Sequence, residues 1–116
     1  MSKTISIVLS GTPYGTERAA TALGIAEAAL EKGHRVNLFA SADGTYAVLS
    51  QQAGSGIPNI GEHLKTLIER GLNVELCGSC LRFRGLTKDR LIDGAKPSTL
   101  RGMGNMLRQA DIVLNL

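Results

Sequence analysis

Leu72-Asn73-Val74-Glu75-Leu76-Cys77-Gly78-Ser79-Cys80-Leu81-Arg82-Phe83-Arg84-Gly85 reads as a strand that runs directly into a helix, with both cysteines of the chain at the junction. The strand-like run 72–76 follows the helix stop Gly71, and Cys-x-x-Cys opens the helical segment. A strand passing straight into a helix is the repeating half of a parallel α/β sheet.

The junction also suits a reactive thiol. A free cysteine has a pKa near ~8.5 and reacts as the thiolate; nearby cations or a helix start lower that to about 3.5–7.5. Residues i and i+3 within a helix hold their β-carbons about 5–6 Å apart, whereas a disulfide needs about 3.5–4.5 Å. A Cys77–Cys80 disulfide therefore requires Cys77 at or before the N-cap. That placement makes Cys77 the more exposed thiol and the expected nucleophile, with Cys80 one turn in. The ordinary alternative is two buried small apolar side chains. Arg82 and Arg84 are candidates to stabilise a thiolate or to bind a partner, against the alternative of a solvated helix face. Phe83 between them is expected in the core or a subunit contact.

Working outward, residues 4–10 form a β-branched-rich run bounded by Gly11 and read as a buried strand. Residues 16–32 read as a helix with Ala19, Ala22, Leu23, Ala26, Ala29 and Leu30 at helical spacing, and 35–40 as the second strand. The polar, glycine-rich stretch 41–58 has only Ala47-Val48-Leu49 as a short helical or packed piece. A loop that long is often functional. Asn59 and Glu62 stand at capping-box spacing before a helix that buries Ile60, Leu64, Leu67 and Ile68. Beyond the cysteine helix, 86–96 is irregular and 95–98 is a short strand that Pro97 confines to a sheet edge or a strand start. Ser98 is expected to cap a last helix with Leu100, Met103 and Leu107 inward, and 111–116 closes the chain as a strand.

Strands alternating with helices imply one α/β domain, residues 1–116, with a parallel sheet covered on both faces. Ligands in such sheets bind beyond the carboxyl ends of the strands. The loops there are 11–15, 41–46 and 77–85, which places Tyr14, Gly15, Asp43, Gly44 and Arg84 around a pocket shared with the thiols.

Composition narrows the function further. The chain carries a net charge of +3, but its basic residues are scattered and only Tyr14, Phe39, Tyr46 and Phe83 are aromatic. Nucleic acid is therefore not an expected partner. No apolar run reaches the length of a membrane span and no leader precedes the first strand, so the expected compartment is the cytoplasm, with no membrane partner. There a cysteine pair is more often catalytic or metal-binding than structural. Zinc would need two further ligands, and His34 and His63 stand at no usual spacing from the cysteines. The loop 11–16 lacks both the Walker ending and a Gly-x-Gly-x-x-Gly pattern, and the chain is short and has few aromatics to sandwich a flavin. No metal and no cofactor are expected.

Four features together resemble the DsrE/DsrF-like sulfur-relay family. They are Gly11-Thr12-Pro13-Tyr14-Gly15-Thr16-Glu17 after the first strand, the cysteine loop ending in Arg84-Gly85, Leu91-Ile92-Asp93-Gly94, and a closing Ala110-Asp111-x-Val113-Leu114. The resemblance spans nearly the whole chain and is strongest to stand-alone members with Cys-x-x-Cys-x-x-x-Arg-Gly. It implies a three-layer α/β/α domain with a five-stranded, mostly parallel sheet, and a homo-oligomer, trimer or hexamer. It also implies a sulfurtransferase-type carrier whose cysteine takes sulfane sulfur from a donor protein as a persulfide and passes it to an acceptor protein. In the acceptor subunits of that family the cysteine stands seven residues before Arg-Gly, the position of Cys77. Cys80 has no required counterpart there, which keeps open a thiol–disulfide redox protein using both cysteines. A non-catalytic oligomeric assembly subunit is the third reading.

Overall fold

The computed structural model describes residues 2–116. Strands β1 (Thr4–Leu9), β2 (Arg35–Ala40), β3 (Asn73–Cys77), β4 (Ala95–Ser98) and β5 (Ile112–Asn115) alternate with helices α1 (Arg18–Glu31), α2 (Ile60–Glu69), α3 (Gly78–Phe83) and α4 (Leu100–Arg108). The five strands form one sheet in the order β4-β3-β2-β1-β5, and every pairing is parallel. From β1 to β4 the chain steps one way across the sheet. It then returns past all of them to add β5 beside β1. Right-handed crossovers put the return helix α4 on the face opposite α1 and α2.

Strand register shows the two faces. Ile7 and Leu9 of β1, Val36, Leu38 and Ala40 of β2, and Val74 and Leu76 of β3 are buried in the main core with α1 and α2. α1 contributes mainly alanines, Ala19, Ala22, Ala26 and Ala29, with Leu23, so its axis can lie close to the sheet. α2 buries Ile60, Leu64 and Leu67, and the Asn59 side chain caps it by accepting from the Glu62 N–H at 3.0 Å. This is the start signal expected from the sequence.

The α4 face is different. Here a polar ladder crosses three strands: Asn73 Nδ2 donates to Asn37 Oδ1 (3.1 Å), and Asn37 Nδ2 to Ser6 Oγ (3.3 Å). Ser6, fully buried, donates to the Met106 carbonyl of α4 at 2.9 Å, so its hydroxyl is satisfied. Towards the carboxyl ends of the strands this face turns apolar, and Phe39, Cys77 and Met106 form a second, small core with Met103 and Cys80 packed against it.

Several expectations shift on this framework. Thr99, not Ser98, caps α4, with its hydroxyl accepting from the Gly102 N–H at 3.1 Å, because Ser98 is still paired in β4 opposite Cys77. Leu100 then points outward, 70% exposed, and Met106 takes the buried place on that helix. The stretch after β2 is more ordered than its composition suggests: residues Ala42–Val48 form a 3-10 helix that buries Gly44, Thr45, Ala47 and Val48. A second short one spans Lys88–Arg90. Among the described residues no helix is long and apolar enough to cross a membrane.

Candidate functional site

β2 and β3 are neighbours in the sheet, so the chain leaving β2 at Ser41 lies beside the chain leaving β3 at Cys77. Cys77 is both the last residue of β3 and the N-cap of α3. Its extended backbone lets Sγ accept the Cys80 N–H at 3.3 Å. Both cysteines are free.

Their exposure is the reverse of the sequence expectation. Cys77 is only 8% exposed, whereas Cys80 is half-buried. The reason is strand alternation. Cys77 shares a face with Asn73 and Glu75 and so points under α4, against Phe39 and Met106. An N-cap is the outermost residue of its helix, but this one is also the end of a strand that faces a core.

Cys80 turns instead towards the end of β2. Its Sγ accepts the Ala42 N–H at 3.2 Å. Burial opposes its ionisation, but hydrogen bonds from the Cys77 thiol, the Ala42 N–H and the Ser41 hydroxyl outweigh it, together with the charge of Arg84. The Cys80 thiol is thereby held below its ordinary pKa. Burial, and then the hydrogen bond with Cys80, push the Cys77 thiol the other way. The two shifts are opposed, and Cys80 is the more acidic thiol of the pair.

Arg84 ties the two loops together. Its Nε and Nη2 both donate to Asp43 Oδ1, at 3.0 and 2.8 Å, and its Nη1 donates to the Cys80 carbonyl at 3.1 Å. Donating to the Asp43 carboxylate raises the pKa of Arg84 and keeps it charged. Gly85 follows in the left-handed region (φ 66), and the Leu86 N–H returns to the Leu81 carbonyl at 3.0 Å. This is a glycine helix stop, and it lets Arg84 fold back over α3.

The remaining candidates separate. Asp43 joins the thiol site through Arg84. Gly44 is buried and lies so close to β1 that a Cβ there would stand 2.1 Å from the Leu9 carbonyl oxygen, so it seats the turn against the strand end. Tyr14 is elsewhere: its hydroxyl donates to Gln52 Oε1 at 2.6 Å and accepts from the Ile60 N–H at 3.2 Å. It lines a cavity of about 490 Å3 with Pro13, Thr16, Ile57 and Pro58, and the cysteine loop takes no part in that lining. Gly15 donates its N–H to Thr12 Oγ1 at 2.9 Å within the same loop. Arg82 Nη2 donates to Ser79 Oγ at 3.0 Å, and Phe83 is 84% exposed, not in the core of the chain. His34 accepts from the Lys3 N–H and His63 pairs with Glu27 at 2.6 Å. Among the described residues no three His, Cys, Asp or Glu side chains converge as metal ligands. Ser41, Ala42 and Thr45 are site residues that the sequence did not single out; a turn directly after a strand end was the available signal.

The DsrE/DsrF-like family matches residues 3–116, which is the sheet, the four helices and the cysteine loop just described. The chain belongs to the DsrE/DsrF-like family. Protein MJ0989 of Methanocaldococcus jannaschii is 38% identical over 109 residues, covering 94% of this chain and 96% of that one. YchN of Escherichia coli is 35% identical over 113 residues, covering 95% of this chain and 96% of its own. The crystal structure of E. coli YchN matches with a TM-score of 0.93 over the whole of both chains, at 34% identity. The protein MTH1491 from Methanobacterium thermoautotrophicum shares the fold, with a TM-score of 0.77 at 13% identity and full coverage of both chains. The DsrE/DsrF-like fold therefore stands as expected from the sequence. Within it, the thiol pair occupies the carboxyl edge of the sheet, between the loops that follow β2 and β3.

Proposed function

We propose that this DsrE/DsrF-like protein is a sulfur carrier of sulfurtransferase type that works through Cys77 and Cys80. The observation that carries the reading is an adjacent pair of free cysteines: Cys80 Sγ, half-buried beside Arg84, accepts the Ala42 N–H, and Cys77 Sγ, buried, accepts the Cys80 N–H. A thiolate of the pair attacks the outer sulfur of a donor persulfide, R–S–SH. The donor S–S bond breaks, a Cys–S–SH persulfide forms, and the donor leaves as R–S⁻. An acceptor protein thiolate then attacks the same outer sulfur and regenerates the cysteine. No net oxidation occurs, so no reductant is consumed. Arg84 stabilises the anion, and Cys77, at the position where the family's acceptor subunits carry their cysteine, stores the persulfide away from water. The carrier acts in the cytoplasm as a homo-oligomer, a trimer or a hexamer, between donor and acceptor proteins.

A second reading has one observation in its favour. Cys77 stands ahead of α3 as its N-cap and so meets the spacing condition for a Cys77–Cys80 disulfide. In that reading the pair cycles electrons and retains no sulfur.

Cyanide-labile sulfur separates them. After incubation with a low-molecular-weight persulfide and desalting, cyanolysis should release thiocyanate stoichiometric with wild-type chains and none from the double variant Cys77→Ser/Cys80→Ser. Absence of thiocyanate from wild type, or equal release from the double variant, sinks the carrier reading.

A further inference from the structure

We infer that Cys80, not Cys77, is the thiol that attacks first, and that the turn of residues 41–45 is its positioning element, acting through the Ala42 N–H. The substrate assigned to this step rests on the sulfur-carrier reading, while the geometry does not.

Three observations point the same way. Cys80 is the half-buried thiol and Cys77 the buried one, so a donor protein meets Cys80 first. The Ala42 N–H, from a separate element, points at Cys80 Sγ from 3.2 Å. Ala42 is also, among the described residues, the one non-glycine residue with positive φ, at 51°. A side chain in that region is strained, and such strain persists only where the surroundings over-determine it.

Here they do. The Ser41 N–H donates to the Leu9 carbonyl (2.9 Å) and the Gly44 N–H to the Ser41 carbonyl (2.8 Å). Thr45 Oγ1, fully buried, donates to the Ala42 carbonyl at 2.8 Å, and Arg84 clamps Asp43 from the other side. These bonds are spent holding one peptide so that its N–H meets a sulfur. The charged and titratable groups around that sulfur are Cys77, Arg84 and, through Arg84, Asp43 and Tyr46. Asp43 is the one carboxylate among them, and it is engaged by Arg84.

In the resulting sequence the Cys80 thiolate takes the outer sulfur from the donor, releasing R–S⁻. Cys77 next attacks that outer sulfur, breaking the Cys80 S–S bond, while its own proton passes to Cys80. The persulfide ends on Cys77, and the proton and electron count is unchanged.

Alkylation with limiting iodoacetamide, read cysteine by cysteine by peptide mass spectrometry across pH, tests the assignment without any sulfur donor. Cys80 should react first, about threefold or more faster than Cys77 at neutral pH, with the lower midpoint. Thr45→Val and Arg84→Gln should each raise the Cys80 midpoint and slow it at neutral pH, and Thr45→Ser, which keeps the hydroxyl, should restore it. Circular dichroism confirms that each variant is folded. Faster modification of Cys77, or a Cys80 profile identical in wild type, Thr45→Val and Arg84→Gln, overturns the inference. Either result would leave the thiocyanate assay standing, and loss of thiocyanate would leave the alkylation order standing.

Discussion

Substituting Gly44 by alanine probes the link between fold and site most sharply. A Cβ at this position would lie 2.1 Å from the Leu9 carbonyl oxygen and 2.8 Å from its carbon. Both are backbone atoms at the end of β1, so neither can swing aside as a side chain could. The turn must retreat by roughly 1 Å, and overpacking of this kind costs about 1–3 kcal/mol. That retreat also breaks the Ser41 N–H to Leu9 carbonyl bond, worth about 1 kcal/mol more. A loss of about 3 kcal/mol is expected. For a chain of 116 residues the unfolding entropy is about 0.24 kcal/mol per degree, so Tm should fall by about 12 °C. Gly24→Ala is the matched control. That glycine lies inside α1 with nothing within 4 Å of the added methyl, and the change should raise Tm by about 2–4 °C through helix propensity. Thermal unfolding by circular dichroism, at one fixed protein concentration and with reductant, measures both. A Gly44→Ala protein that unfolds within about 2 °C of wild type refutes the tight seating of the turn on β1.

Other perturbations reach the remaining parts of the account. Asn59→Ala removes the α2 cap and should cost about 1 kcal/mol in urea unfolding, with thiol reactivity unchanged. Phe39→Ala empties the small core beneath Cys77; it should cost about 3–5 kcal/mol and speed Cys77 alkylation relative to Cys80. The pH dependence of stability follows from the opposed thiol shifts. Cys80, held below its ordinary pKa, contributes stability that is present above the unfolded thiol value near ~8.5 and is lost as the pH falls through its folded value. Cys77, pushed up, acts in the opposite sense and costs stability as the pH rises past ~8.5. The Tm of wild type minus that of Cys80→Ala should therefore grow as the pH rises towards the unfolded thiol value near ~8.5, and a flat difference contradicts the assignment.

The alternation of strands and helices was legible in the sequence because each element carries its own local signal: the β-branched run of β1, the alanine stripe of α1, the Asn59 cap of α2, and Pro97 on the edge strand β4. Pro97 can sit in β4 because that strand pairs only with β3. The features that escaped depend on contacts between distant residues. Which face Cys77 takes follows from the phase of β3 and from α4 crossing back over the sheet, and neither is written in residues 77–85. The 3-10 helix after β2 is held by Leu9 and Arg84, one before and one well after it in sequence, so its polar, glycine-containing composition reads locally as loop. Three strand-end loops were assigned to one pocket on topology alone. Two of them do meet, through Ala42, Asp43, Cys80 and Arg84, while Tyr14 is drawn to Gln52 and Ile60 beside α2. The last helix begins one residue later than expected because Ser98 is still paired in β4, and Leu100, its first residue, is exposed.

The central claim is that this thiol pair holds sulfur, and the intact mass of the reduced, desalted protein after exposure to a persulfide donor tests it most directly. The account predicts a gain of one sulfur mass per chain that dithiothreitol reverses and that Cys77→Ser/Cys80→Ser does not show. Loss of two hydrogens with no sulfur retained, or no change of mass at all, would contradict it.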